Sequence, residues 1–328
     1  MKTCIMKYFL SLVIFFVAFN SFSQTAPLCF SEPKFIGVGS TSECLISGDF
    51  NNDGFPDIVT SNYGSDSITV LLNSGNGISF SRANYLVGNL PEKIITADFN
   101  SDGNLDLAVA TNTFNSSVIS LVYVLSGSSS GAFSSATTYT VSGASHTVAN
   151  GDFNNDGIID LAVGGGINTS FLLGYGNGTF APSFNRPVTI KPYDMVAHDF
   201  NGDGISDLAY IDENGNDQLV IYKYGFGLTA PIPFGTGPCI SLTSGDFNND
   251  GNIDLASCAM DMVSVIFGLG NAQFGSAVTY VLPGATGVGG IESLDMNNDG
   301  ALDLIVVNEN DYVYILYGSP TGVFSISP

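Results

Sequence analysis

Apolar residues recur along the chain in short bursts separated by Gly, Asn, Asp and Ser, and the same order of bursts returns about every fifty residues. A first burst, such as CLIS at 44–47, KIITA at 93–97 or CISLTS at 239–244, runs into a polar loop. A second follows directly, as DIVTS, DLAVA, DLAVG, DLAYI, DLASC and DLIVV in successive copies. After another polar loop comes a β-rich burst, seen as ITVLL at 68–72, VYVL at 122–125 and YVYIL at 312–316. A Gly-rich turn ending in Phe comes next, as in GNGISF, GSSSGAF, GYGNGTF and GNAQF. A fourth extended stretch, such as ANYLVG or AVTYVLPG, closes the unit. Short strands between Gly, Asn and Asp turns predict an all-β chain, and no stretch of the mature chain carries a helical period. The Ser-rich run SGSSSGAFSSATT at 126–138 falls on the turn of the second unit and reads as loop.

One four-stranded sheet cannot bury both of its faces, whereas sheets set radially cover one another. Four strands per unit in six copies therefore predict a β-propeller of four-stranded blades. A stacked solenoid would leave two open ends in need of caps. Six blades are expected, with a seventh, degenerate blade left open. The last unit stops soon after its turn Phe, at GVFSISP (322–328). The segment CFSEPKFIGVG (29–39) resembles the turn Phe and fourth strand of other units, such as FSRANYLVG (80–88). The N-terminal strand is thus expected to complete the last blade and close the ring, which removes an open edge.

Between the first two bursts of every unit lies D-[FM]-N-x-D-G-x-x-D, starting at Asp49, Asp98, Asp152, Asp199, Asp246 and Asp295, at spacings of 49, 54, 47, 47 and 49 residues. Positions 1, 3 and 5 present side-chain oxygens from one tight loop, and position 6 is always Gly, as a turn with positive φ requires. Position 7 offers a backbone carbonyl, and the Asp at position 9 can close the shell. The candidate ligands are Asp49, Asn51, Asp53, Phe55 and Asp57 in loop one, and Asp98, Asn100, Asp102, Asn104 and Asp106 in loop two. Loop three supplies Asp152, Asn154, Asp156, Ile158 and Asp160, and loop four Asp199, Asn201, Asp203, Ile205 and Asp207. Loop five supplies Asp246, Asn248, Asp250, Asn252 and Asp254, and loop six Asp295, Asn297, Asp299, Ala301 and Asp303. Six or seven oxygen donors suit Ca²⁺, with Mg²⁺ second because of its stricter octahedron. Softer metals want His or Cys, which these loops lack. The plain alternative is a set of Asx-turns, favoured by the same residues, although an ordinary turn needs no Asp at position 9.

The first half of the loop is shared with the EF-hand, but the twelfth position is Thr60, Val109, Val163, Tyr210, Ser257 or Val306, never Glu, and a strand follows. An EF-hand is excluded. With G-x-x-F turns beside the loops, the repeats resemble the FG-GAP/VCBS repeats of the integrin α-subunit propeller and of bacterial secreted proteins, over about residues 30–328. That resemblance implies calcium in the loop between the first and second strands of each blade, up to six ions in all. Departures from the pattern are Met296 in place of Phe, His198 in place of Gly, and the longer turn YGFGLTAPIPF (224–234) in unit four.

Charge supports the cation reading. The chain of 328 residues carries 30 acidic and 8 basic residues, for a net charge of −22, and the loops hold 18 of the acidic ones. Six divalent ions would bring the net charge to −10, counted from −22. A surface this acidic is a poor partner for nucleic acid. Lys2 and Lys7 ahead of the apolar run 8–19, with Ser21 and Ser23 before Gln24, read as a secretory signal over 1–23. The run is short for a membrane span, and no second one approaches that length. The expectation is an exported monomer, extracellular or at the cell surface, with one propeller domain over 24–328. Cys29, Cys44, Cys239 and Cys258 remain after cleavage, and the local pairs Cys29–Cys44 and Cys239–Cys258 are favoured among three pairings. Sequons at Asn115, Asn168 and Asn177 matter only in a glycosylating host.

The loops between second and third bursts gather on the face opposite the metal loops. They carry SNYGSDS (61–67), TNTFNSS (111–117), IDENGND (211–217) and NENDY (308–312). Tyr63, Phe114 and Tyr312 beside amides and carboxylates suit sugars or extended peptides, although plain solvated turns read the same way. Enzyme signatures are scarce. His146 and His198 are the two histidines, His198 is expected to be structural, and no G-x-S-x-G, H-E-x-x-H or P-loop occurs. A secreted calcium-binding module for proteins or surface glycans is the expected function. The alternative is a propeller-based carbohydrate-active enzyme such as a polysaccharide lyase.

Overall fold

The computed structural model describes residues 35–326, apart from 76, 78, 113–118, 167, 213–217, 224–226, 235–239 and 309–311. Six antiparallel sheets follow one another along the chain, each ordered from its first strand to its last. Blade one holds β1 (Ser42–Gly48), β2 (Asp57–Asn62), β3 (Ser67–Asn73) and β4 (Phe80–Leu86). Blade two holds β5 (Pro91–Ala97), β6 (Asp106–Thr111), β7 (Ile119–Leu125) and β8 (Thr137–Ser142). Blade three is built from β9 (Thr147–Gly151), β10 (Asp160–Gly164), β11 (Asn168–Leu172) and β12 (Phe184–Pro187). Blade four has β13 (Pro192–His198), β14 (Asp207–Asp212) and β15 (Gln218–Lys223), with its outer position shared by β16 (Gly227–Leu228) and β17 (Ile232–Pro233). Blade five comprises β18 (Ser241–Gly245), β19 (Asp254–Ala259), β20 (Met262–Ile266) and β21 (Val278–Val281). Blade six comprises β22 (Val288–Leu294), β23 (Asp303–Asn308), β24 (Val313–Tyr317) and β25 (Ser325–Ile326). This is the six-bladed propeller that the repeat predicts.

Position within a blade decides how each strand reads in sequence. Second strands are covered on both faces, so β2, β6, β14 and β19 are buried at every residue and show no alternation. Fourth strands lie at the rim, and β4 and β12 are largely exposed. Five apolar clusters each join two consecutive blades. Val59 and Leu107 share the cluster across blades one and two, Val122 and Leu161 that across two and three, and Phe171 and Leu208 that across three and four. Ile211 and Leu255 join blades four and five, and Val265 and Leu304 join five and six.

Turn Phe residues anchor neighbouring blades to each other. Phe133, Phe180 and Phe324 pack edge-on against the loop Phe of the preceding blade, Phe50, Phe99 and Phe247, with ring centroids 5.8, 5.5 and 5.8 Å apart. The same rings meet a fourth-strand tyrosine of that blade, Tyr85, Tyr139 or Tyr280, at 5.6–5.7 Å. The tyrosine hydroxyl accepts the Phe N–H at 3.1–3.3 Å.

One expectation is corrected. Among the described residues, blade six takes its outer strand from the C-terminal end of the chain and not from the N-terminus: β25 pairs with β24 through Leu316↔Ile326 and Tyr317↔Ser325. The seat of Phe324 against Phe247 and Tyr280 explains this, because it delivers the next two residues alongside β24. The N-terminal residues that are described lie on blade one instead, where Ile36 and Val38 cover Ile58 and Leu71 and Arg82 Nη1 donates to the Gly37 carbonyl at 2.9 Å. The signal segment, Cys29, Cys239, Phe114 and Asn115 fall outside the described residues. Cys44 is half-buried and Cys258 buried, so neither favoured disulfide has both members described. No helix among the described residues is long and apolar enough to cross a membrane.

Candidate metal loops

The six D-x-N-x-D-G-x-x-D loops each link the first strand of a blade to its second, so the fold presents all of them on one face. Their internal geometry is nearly the same. The position-1 carboxylate accepts the position-5 N–H on one oxygen and the Gly N–H on the other, at 3.0 and 2.8 Å for Asp49. The position-3 amide oxygen accepts the position-5 N–H as well, and the position-5 carboxylate accepts the position-7 N–H, at 3.1 and 2.9 Å in loop one. Both sets of bonds recur in the other loops, as for Asp102 and Asp250.

Two nearby departures into left-handed space make the turn. Position 4 has φ of 56–60° in five loops, where it is Asn52, Ser101, Asn155, Asn249 or Asn298. The position-6 glycines have φ of 80–87°, and a Cβ on any of them would meet nothing within 4 Å. Glycine is needed there for its conformation alone.

Position 9, expected from the sequence to close the shell, is also engaged by the main chain. Asp57, Asp106, Asp160, Asp254 and Asp303 are fully buried at the start of the second strand. One oxygen accepts the N–H of position 2, from Phe50, Phe99, Phe153, Phe247 or Met296, at 2.8–3.0 Å. The other accepts an N–H where the third strand ends, from Asn73, Gly127, Gly174, Gly268 or Gly318, at 2.7–2.8 Å. The carboxylate thus pins the loop to its own blade. Loop four departs: Asn201 Nδ2 donates to Asp207 Oδ2 at 3.0 Å, while Phe200 N–H donates to the His198 carbonyl at 3.1 Å. Burial raises the carboxyls of Asp57, Asp106, Asp160, Asp254 and Asp303 above the usual range, to about 6 for Asp160 and Asp254; the two N–H bonds oppose the rise and the carboxylates at positions 5 and 1 add to it. At position 5, the neighbouring Asn N–H groups hold Asp102 and Asp250 low.

The donor set fits a hard divalent cation. Each loop offers three carboxylates, an amide oxygen and a carbonyl, with no Lys, Arg or His among its nine residues. Among the described residues no three His, Cys, Asp or Glu side chains already converge as a metal shell. The residues that would hold an ion are positions 1, 3 and 5 with the position-7 carbonyl, and position 9 through the lone pairs its two N–H bonds leave over.

On the opposite face, Tyr63 stands in a short 3-10 turn (Tyr63–Ser65) held by N–H bonds to the Thr41 and Ser40 carbonyls, and Tyr312 is exposed. Two polar clusters near this end escaped the sequence reading. His146 Nδ1 lies 2.7 Å from Glu92 Oε2, and Asn112 Nδ2 donates to Glu92 Oε1 at 2.9 Å, tying blades two and three. The other cluster centres on Asp194 of blade four. Its Oδ1 accepts from Lys93 Nζ of blade two at 2.8 Å and from Thr147 Oγ1 of blade three at 3.3 Å, and its Oδ2 accepts Leu242 N–H of blade five at 3.0 Å. Lys93, Thr147 and Asp194 all stand five residues before a loop aspartate, a register that would have exposed the cluster. His198 lies edge-on to Phe200, with ring centroids 5.9 Å apart.

A family model described as FG-GAP-like repeat matches residues 49–109, 98–163, 152–209, 199–257 and 246–306, each match running from one loop through the next. Among curated proteins no sequence matches. Among solved structures, a lectin of Agrocybe aegerita that recognises non-reducing terminal N-acetylglucosamine aligns with a TM-score of 0.60 and 18% identity, over 88% of this chain and 80% of the lectin. BBS1N, solved in complex with ARL6DN, aligns with a TM-score of 0.60 and 13% identity, over 88% and 81%. The Dos1 propeller aligns with a TM-score of 0.52 and 12% identity, over 79% and 64%. At these identities the likeness is one of fold.

Proposed function

Because the chain belongs to the FG-GAP-like repeat family, we propose that it is an exported, calcium-stabilised propeller that binds surface glycans or proteins and catalyses nothing. The observation that supports this most is the sixfold loop, an all-oxygen donor set without a cationic side chain, repeated on one face of the ring. Calcium there would neutralise carboxylates that crowd one another and stabilise the folded state by mass action. Its chemistry in this role is structural charge compensation. The chain's own residues hold the loop shape through the N–H bonds to positions 1, 3, 5 and 9.

The opposite face is left for a partner. Sugar is the first class to probe, given exposed Tyr312 among amides and carboxylates and a propeller neighbour that is a lectin; a protein partner is the other, as BBS1N was solved with one. The enzyme reading draws on one observation, the Glu92–His146 pair, which could serve as an acid–base couple. A glycan array with and without chelator tests both. Calcium-dependent retention with no change in the glycan is expected. Cleaved sugar supports the enzyme instead, and no retention of any glycan turns the search to protein ligands.

A further inference from the structure

This inference rests on the calcium reading above. Loops three and four are joined by a reciprocal bridge at the points where each places candidate ligands. Asp152 N–H donates to Ser206 Oγ at 3.1 Å, and Ser206 N–H donates to the Asp152 carbonyl at 2.9 Å. Asp152 is position 1 of loop three. Ser206 is position 8 of loop four, between Ile205 and Asp207, its candidate ligands at positions 7 and 9. The approach depends on Gly151, since a Cβ there would lie 2.7 Å from Ser206 Cβ. At the equivalent junctions of loops one with two and five with six, position 8 is Leu105 or Leu302, and a leucine methyl fills the space beside Gly48 or Gly245. Leucine packs, but it has no hydroxyl to accept the neighbouring N–H.

We infer that the Asp152–Ser206 bridge couples cation binding in loops three and four, so that filling either loop raises the affinity of the other. The Ile205 carbonyl and Asp207 would hold an ion in loop four, and the Ser206 peptide between them would be ordered with them. That peptide fixes the main chain of Asp152, whose carboxylate is already set by the N–H groups of Asp156 and Gly157. Loop three then needs less ordering to take its own ion. The effect runs equally in both directions.

Calcium titration of the full protein tests this, with bound calcium counted directly and the Gly157 amide resonance reporting on loop three, because that N–H donates to Asp152 Oδ2 at 2.8 Å. Disabling loop four by Asp203→Asn is expected to weaken loop three about fivefold, the low end of measured couplings. In a Ser206→Ala background the same substitution should leave loop three unchanged, and Ser206→Thr, which keeps the hydroxyl, should restore the response. Loop-three affinity indifferent to Asp203→Asn in the parent overturns the coupling alone, as does a response that survives Ser206→Ala. A parent that binds no calcium overturns the calcium reading and the coupling with it. If Ser206→Ala fails to fold, the comparison of Asp203→Asn with the parent decides.

Discussion

The exposed aspartate at position 5 and the buried one at position 9 carry the same carboxylate to different ends. Asp250 engages only its own loop, through the Asn252 N–H and the side-chain amides of Asn248 and Asn252. Asp254 holds two main-chain N–H groups in the protein interior. Asp250→Asn is therefore expected to lower the melting temperature only when calcium is present. Asp254→Asn leaves one buried N–H without its acceptor, at a cost of about 1–3 kcal/mol whether or not calcium is chelated. Thermal melts of both variants with calcium and with EDTA check this, and an Asp254→Asn variant as stable as the parent in EDTA would refute the division of labour. The sequence displayed the oxygens and the left-handed glycines clearly, since residue type alone dictates both. It could not display which N–H each oxygen meets, because Gly127, Gly174, Gly268 and Gly318 reach position 9 from the far end of the third strand.

Strands were legible wherever local pattern suffices. The buried run after each loop and the β-rich third burst became β2 and β3 and their counterparts, as their composition required. Outer strands were harder to read, because exposure leaves their sequence weakly constrained. The divided edge of blade four and the origin of β25 both lay beyond the pattern. What positions an outer strand is the turn Phe before it, seated between two rings of the preceding blade. Phe180→Ala should cost about 3–5 kcal/mol, in line with large-to-small truncation of buried aromatics, while the main-chain N–H of residue 180 keeps its bond to the Tyr139 hydroxyl. Denaturant unfolding of this variant would show a lower midpoint. A change smaller than about 1 kcal/mol would mean that the ring is not an anchor.

For the molecule as a whole, a recurring unit announced a ring of six, but the contacts near its axis join residues far apart in sequence and had no local signature. Glu292 of β22 stands among the inner strands, reached by water yet near Asp194 and Lys93. The protein crowded around it raises its carboxyl above the ordinary Glu value of 4.5, Lys93 opposes the rise and Asp194 adds to it. A raised folded-state value means that its favourable contribution is present below 4.5 and lost as pH climbs through the folded value. Glu292→Gln should accordingly melt higher than the parent near neutrality, with the difference vanishing in acid. Melting curves across that pH span would decide, and a difference independent of pH would contradict the sign.

Asp194 brings one further consequence, for synthesis. Its carboxylate gathers donors from blades two, three and five as well as its own Met195 N–H. Lys93 comes 101 positions earlier and Leu242 comes 48 positions later. The knot therefore cannot be completed until the ribosome has passed Leu242, however early the first sheets form. Until then Asp194 lacks its Leu242 partner, whichever earlier strands have paired.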